Sequence, residues 1–350
     1  MTTEHPDAAL PPAGPAPGSD DAGTVGRETA PARPRHGAAV AWRRALTVIF
    51  AVAVVAGVLV ALRGQDWSVL AELLHGGSAA ALLGACLVTA VGLLCGTRAW
   101  LLTLSAIAAP VPARTGIRMF FVGFLGKFVP GRVWGLIAQM RMAEQAGVTK
   151  TQMAGTYLVN LVIVLLTGGV VGLLVARTLP ADGAVWLLLP PALLLVLVVR
   201  PDLIHVLAGL AARVAGRQPP PPPGRSGNLR LAIVFQTAAW VLSGLHVWVI
   251  AVLLGAEPLP ALPAAIGGFA LAVVVGSLAV FAPDGIGVRE LLLVPALAPV
   301  LPLHAAVAAA LGSRVLTLIA ELATSGVALG VVALRDRPAV PTPFREESTT

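Results

Sequence analysis

The chain has 350 residues, of which 57% are hydrophobic and only 12% charged, and its mean hydropathy is +0.86. Ordinary globular domains carry about 25% charged residues, so a water-soluble fold is excluded and a polytopic membrane protein is predicted. The net charge of +7 does not point to nucleic acid, because the basic residues flank apolar runs; anionic lipid headgroups are the counter-charge that this distribution suits.

Residues 1–42 are rich in Pro, Ala, Gly and charge and show no helical or strand period. Such a segment cannot bury enough apolar surface to offset its chain entropy, and a disordered cytoplasmic tail is predicted. Arg33, Arg35, Arg43 and Arg44 precede the first apolar run, Arg44 to Leu62. That run lies too far from the start for a signal peptide and reads as an uncleaved anchor with a cytoplasmic N-terminus. Further runs of spanning length, roughly 17 to 25 residues, occur at Ala79 to Leu104, Gln152 to Arg177, Val185 to Val199, Leu231 to Leu254, Leu262 to Phe281 and Ala305 to Leu334. The expected fold is all-α: a polytopic transmembrane bundle over 43–334, with about seven to eight spans and two broken or re-entrant helices. Residues 335–350 read as a second disordered tail.

The two breaks are GKFVPGRVWG at 126–135 and PDGIGVRE at 283–290. Hydrocarbon tolerates non-helical backbone and ionisable side chains only where they are buried in protein or line a wet cavity, so both breaks are candidate sites. In the first, Pro130 removes a backbone donor, and Gly126, Gly131 and Gly135 allow close approach. Lys127 and Arg132 stand beside Trp134. Lysine supplies a point charge, arginine a bidentate fork, and free amides at a helix start near Arg132 would add partial positive charge, which together suit an anionic headgroup. The alternative is that both cations snorkel to the interface. In the second, Pro283, Gly285 and Gly287 interrupt the backbone while Asp284, Arg289 and Glu290 bring both signs of charge; the alternative there is a self-paired cluster that holds the turn.

Arg98, Arg114, Arg118, Arg141 and Lys150 cluster together, and Arg200, Arg213, Arg217, Arg225 and Arg230 fall in or beside a Pro-rich loop at 201–230. Both groups are expected in the cytoplasm, which requires the segment Ile117 to Gln139 to enter and leave on one side. For Ile286 to Leu301 the parity stays open, and with it the side of the C-terminus.

At 100° per residue, Ser313, Arg314, Thr317, Glu321, Thr324 and Ser325 fall within an arc of about 120° on the last run. Arg314 and Glu321 must therefore face the bundle, pairing with each other or with Asp284, Arg289 or Glu290. Thr156, Asn160 and Thr167 form a narrow stripe, as do Gln236, Trp240 and Ser243, and both suit interhelical hydrogen bonding. His75, His205, His246 and His304 lack ligand-like spacing and are assigned no role. Cys86 and Cys95, nine apart, read as small core residues. The sequence holds no Walker A loop, dinucleotide fingerprint, HExxH pair or GxSxG elbow, so neither a cofactor nor a metal is expected. Any transport would be passive, ion-coupled or powered by a partner.

The GKFVPGRVWG segment, the AEQAGV stretch at 143–148 and the PDGIGVRE segment resemble the lysylphosphatidylglycerol synthase transmembrane region, a family that includes flippase-like membrane proteins. The resemblance covers roughly Ala45 to Leu334. It implies a helical membrane domain that moves lipids with polar headgroups, anionic or aminoacylated, between leaflets of a bacterial plasma membrane. The family pattern maps onto Lys127, Pro130, Gly131, Arg132 and Trp134, and onto Pro283, Gly285, Gly287, Arg289 and Glu290. Asp284 stands where a small residue such as glycine is expected and adds a carboxylate beside Arg289, which favours a zwitterionic or aminoacylated lipid. In the bifunctional synthases of this family a soluble C-terminal domain performs aminoacyl transfer, and no such activity is expected here. Two other readings stay open. One is a membrane subunit that docks a soluble lipid- or glycan-modifying enzyme on its basic loops. The other is a membrane-embedded lipid-phosphate enzyme with Asp284 or Glu290 as base and Arg132 as clamp, for which the sequence offers no nucleophile.

Overall fold

The computed structural model describes residues 78–108, 111–129, 133–178, 189–200, 226–278 and 287–336. It also describes Val48, Ile49, Val52, Ala56, Leu59, Arg63, Leu203, Val206, Gly209 and Arg213, all of them helical. The expected tail at 1–42, nearly all of that at 335–350 and most of the 201–230 loop lie outside the described residues. So do Pro130, Gly131, Arg132, Pro283, Asp284 and Gly285.

Among the described residues there are nine α-helices and no strand. They are α1 (Ala79–Ile107), α2 (Ala113–Leu125), α3 (Val133–Gln145), α4 (Lys150–Gly172), α5 (Leu189–Val199), α6 (Ser226–Leu253), α7 (Pro258–Leu278), α8 (Val288–Leu297) and α9 (Leu303–Arg335). A 3-10 turn, Gly126–Phe128, continues α2, and another, Leu173–Thr178, continues α4. Helices α1, α4, α6, α7 and α9 are long and apolar enough to cross a membrane. The first apolar run is helical and exposed at Val48, Ile49, Val52 and Leu59. Helix α5 covers 11 residues of the run that starts at Val185. The 201–230 segment, read from sequence as a stiff loop, is helical at its four described positions before Ser226, and α6 starts at Ser226 instead of Leu231.

Local signals set the helix limits. Thr149 Oγ1 accepts from the Gln152 backbone N–H at 3.2 Å, and Gln152 Oε1 accepts from the Thr149 N–H at 3.0 Å. This reciprocal cap satisfies two of the orphan donors of α4 and fixes its start at Lys150.

Three hydrogen bonds fix which helix ends lie together. Asn228 Nδ2 donates to Ser105 Oγ at 3.0 Å, Arg230 Nε to the Val198 carbonyl at 3.2 Å, and Arg114 Nη1 to the Arg335 carbonyl at 3.3 Å. The ends of α1, α5 and α9 therefore meet the starts of α2 and α6 at one basic end of the bundle. This answers the question that charge counting leaves open, because α9 finishes at the end where α2 begins.

Small residues let the core close. Helix α7 is the most enclosed of the long helices, and its Ala265, Phe269 and Ala272 pack with Val247 and Ile250 of α6, Leu297 of α8 and Ala309 of α9. With hydrocarbon outside as apolar as the side chains inside, close approach and dispersion take the place of the hydrophobic effect in holding such helices together. A separate cluster of Trp100, Met119, Ala143 and Met153 anchors α2 and α3 against α1 and α4. Cys86 is half-buried and packs on the α7 cluster, and Cys95 is also half-buried.

Candidate functional site

Helices α2 and α3 have 13 residues each, about 20 Å at 1.5 Å per residue, against a hydrocarbon core of about 30 Å. Neither can span alone. They form an antiparallel hairpin, since Gly135 sits so near Gly123 that a Cβ on Gly135 would lie 2.3 Å from the Gly123 carbonyl oxygen. One turn away on each helix, Gln139 Nε2 donates to the Met119 carbonyl at 3.3 Å. The chain thus enters and leaves the hairpin at the basic end, as the loop charges predict, and the described residues Gly126–Val129 and Val133–Gly135 lie at its other end.

Lys127 lies in the 3-10 turn at that other end. Its Nζ is 2.5 Å from Glu321 Oε2 on α9, and the two side chains keep 19% and 17% exposure. The same ammonium lies 4.5 Å from the centroid of the Phe124 ring and 5.1 Å from that of Phe128. Trp134 is exposed on the first turn of α3.

The second break is described from Gly287 onward. Gly287 has φ +83°, a left-handed conformation that a residue with a Cβ adopts only at a cost, which accounts for glycine there. Its N–H donates to Glu290 Oε2 at 2.8 Å, so Glu290 caps the start of α8. The other oxygen, Oε1, accepts from Arg314 Nη1 at 2.7 Å, and Arg314 is buried. Neighbouring Arg289, also buried, lies with its guanidinium 5.4 Å from the Phe269 ring centroid.

Of the pairings open to Arg314, the structure shows the one with Glu290, and Glu321 pairs with Lys127 of the other break. Both breaks are therefore fastened to one face of α9, seven residues apart, or about 10 Å along the axis. The remaining polar residues of that face are Ser313, Thr317, Thr324 and Ser325, with Ser313, Thr317 and Ser325 buried. Thr317 and Thr324 bond back to carbonyls of their own helix.

Of the two stripes, Thr167 and Trp240 meet: Trp240 Nε1 donates to Thr167 Oγ1 at 3.1 Å. His246, to which the sequence reading gives no role, is fully buried. Its Nε2 is hydrogen-bonded to Ser313 Oγ at 2.7 Å, its Nδ1 meets the Ser243 carbonyl, and its ring stands edge-on to Phe269 at 4.9 Å. The signal was the Gln236, Trp240, Ser243 stripe, whose three- and four-residue spacing continues to His246. No group of three or more metal-ligating side chains occurs among the described residues.

Five long apolar helices, with buried charged residues on α8 and α9, define an integral membrane protein. The chain belongs to the lysylphosphatidylglycerol synthase TM region family, whose model matches residues 48–324. No curated protein is significantly similar to it.

Proposed function

We propose that the protein is a lipid translocase of the bacterial plasma membrane, which moves polar-headed lipids between leaflets and is not itself an enzyme. One observation carries this reading: two helix breaks that the bilayer would otherwise reject are held by two ion pairs along a single polar face of α9. Charged groups at that depth are costly unless they line a pathway or hold one together. Transporters place paired broken helices around a substrate site near the bilayer midplane. A headgroup would travel past α9 while its acyl chains stay in lipid, and the substrates are lipids with anionic, zwitterionic, aminoacylated or polyprenyl-phosphate headgroups. By the charge rule the basic end, with Arg335, faces the cytoplasm.

The test is leaflet exchange of headgroup-labelled lipids of those four classes in proteoliposomes. Wild type is expected to exchange at least one class. Arg289→Ala and Arg132→Ala are expected to slow that exchange by about tenfold or more, the scale of losing one charged hydrogen bond, with the protein still monodisperse. Wild-type rates in both variants would remove these residues from the pathway. Absence of exchange with every probe would favour the docking subunit, which co-purification of a soluble lipid- or glycan-modifying enzyme would then identify.

A further inference from the structure

Arg98 on α1, Arg118 on α2 and Arg141 on α3 are exposed, and among the described residues none of them has a hydrogen bond or an ion pair. Glu144, one turn from Arg141, is engaged by Lys150 instead. The three arginines lie at one level. Helices α1 and α2 run in opposite directions, and a Cβ on Gly116 would meet Leu101 Cδ2 at 2.5 Å, which sets Arg98 level with Met119. Gln139 reaches the Met119 carbonyl, which sets α3 at the same height. Arg118 follows directly before Met119 and Arg141 shortly after Gln139, so the three positions agree along the axes to within about one helical turn, about 5 Å.

The surface on the inner side of this row is apolar and open. On α1, Leu83, Leu87, Val91 and Leu94 are all exposed, and with Arg98 they fall within an arc of about 80°. On α3, exposed Trp134 and Ile137 lead to Arg141 in the same way. These side chains suit hydrocarbon, where an unpaired arginine beside them would be costly. A membrane surface at the level of the row satisfies both requirements. The distance along α1 from its first residue, Ala79, to Arg98 is about 29 Å, against a hydrocarbon core of about 30 Å. The Glu144–Lys150 pair and the contact of Arg114 with the Arg335 carbonyl then stand outside the hydrocarbon, where polar groups belong.

We propose that Arg98, Arg118 and Arg141 form a phosphate-binding row, which holds the phosphates of lipids in the leaflet at the basic end as resident ligands that are not moved. A guanidinium presents its donors in a fork that matches phosphate oxygens, and basic residues at this leaflet attract anionic lipid. Arg118 and Arg141 stand on the two arms of the α2–α3 hairpin, so a phosphate between them also offsets the repulsion of like charges on packed helices. The row lies on the exposed surface of α1, α2 and α3 and not on the polar face of α9. The inference is therefore independent of the transport reading.

The probe is phosphatidic acid, whose headgroup is a phosphate alone, set against phosphatidylcholine with the same acyl chains and against inorganic phosphate. By native mass spectrometry the full-length wild type is expected to retain phosphatidic acid about tenfold more than Arg98→Gln/Arg118→Gln/Arg141→Gln does, the scale of one charged hydrogen bond. Phosphatidylcholine is expected to differ little between them, and Arg200→Gln, an exposed basic position off the row, to behave as wild type. Phosphatidic acid is expected to raise the melting temperature of wild type in detergent by several degrees, and inorganic phosphate to act no differently from chloride at equal ionic strength. Equal retention by wild type and the triple variant overturns the proposal. Stabilisation by inorganic phosphate alone does so too, since it makes the row a site for a soluble anion. The level of the row is read with the arginines intact, so a triple variant that fails to fold leaves a decisive measurement. In a background with Cys86 and Cys95 replaced by alanine, a fluorophore on Leu94→Cys is expected to be quenched by lipids brominated on their acyl chains, and one on Ser105→Cys is not. Absence of quenching at Leu94→Cys, or equal quenching at both positions, overturns the placement of the phosphates at the row.

Discussion

Glu290 is held by two donors at once, the Gly287 N–H and the Arg314 guanidinium. Its loss would take the Glu290 carboxylate from buried Arg314 and the cap from the first turn of α8. Removing one partner of a buried pair costs about 3 to 5 kcal/mol, and surface exposure lowers that figure. With 23% of the Glu290 side chain exposed, Glu290→Ala is expected to cost about 3 kcal/mol, measured as lost resistance to denaturation in detergent. The double variant Glu290→Ala/Arg314→Met is expected to recover part of that loss, because it removes the buried charge that Glu290 balanced as well. A double variant no more stable than the single one would show that the cap, and not the ion pair, dominates. The presence of buried charge on α9 was legible from Arg314 and Glu321 alone, since no lipid-facing placement is affordable. Their partners were not legible. Helical spacing allowed Arg314 to meet Glu321 directly, and only the tertiary placement of the α2–α3 hairpin and of α8 brings Lys127 and Glu290 closer. His246 was missed for a related reason: its partner Ser313 lies on another helix 67 positions away, and no local pattern encodes that distance.

The α2–α3 hairpin depends on backbone contact at Gly123, Gly126 and Gly135. A Cβ at Gly135 would lie 2.3 Å from the Gly123 carbonyl oxygen, and backbone cannot step aside as a flexible side chain does. Gly135→Ala is therefore expected to force the two helices apart and to cost about 1 to 3 kcal/mol, the scale of overpacking. Gly84→Ala on α1, where a Cβ would meet nothing within 4 Å, is the matched control and is expected to be neutral or slightly stabilising in the same thermal assay. Equal effects at the two positions would show that the hairpin is looser than the structure indicates. The long helices could be read from their uninterrupted apolar runs, and the hairpin from glycine and proline within an apolar segment. Exact limits were harder to read: the apolar run suggests that α4 begins at Gln152, whereas the Thr149 cap moves the start to Lys150.

The grouping of helix ends makes a prediction for the whole molecule about sidedness. Glu144 and Lys150, joined at 3.0 Å and largely exposed, bracket the turn from α3 to α4, and Asp336 follows α9 at the same basic end. Glu257 is exposed at the turn between α6 and α7, which is the far end, since α6 starts beside Ser105. In a background with Cys86 and Cys95 replaced by alanine, Glu144→Cys and Asp336→Cys are expected to react with a membrane-impermeant thiol reagent from one side. Glu257→Cys is expected to react from the other. Labelling of Glu144→Cys and Asp336→Cys from opposite sides would mean that α2 and α3 cross the bilayer instead of folding back.

The two ion pairs on α9 have a consequence for assembly. The helix presents a cation at Arg314 and an anion seven residues on at Glu321, while the α2–α3 hairpin offers an ammonium and the start of α8 a carboxylate. If these two elements exchanged places, Lys127 would face Arg314 and Glu290 would face Glu321. Each mismatch would set like charges together in a medium too apolar to screen them. The order of charge along α9 therefore works as an address, admitting each of the two elements at one berth and repelling it from the other.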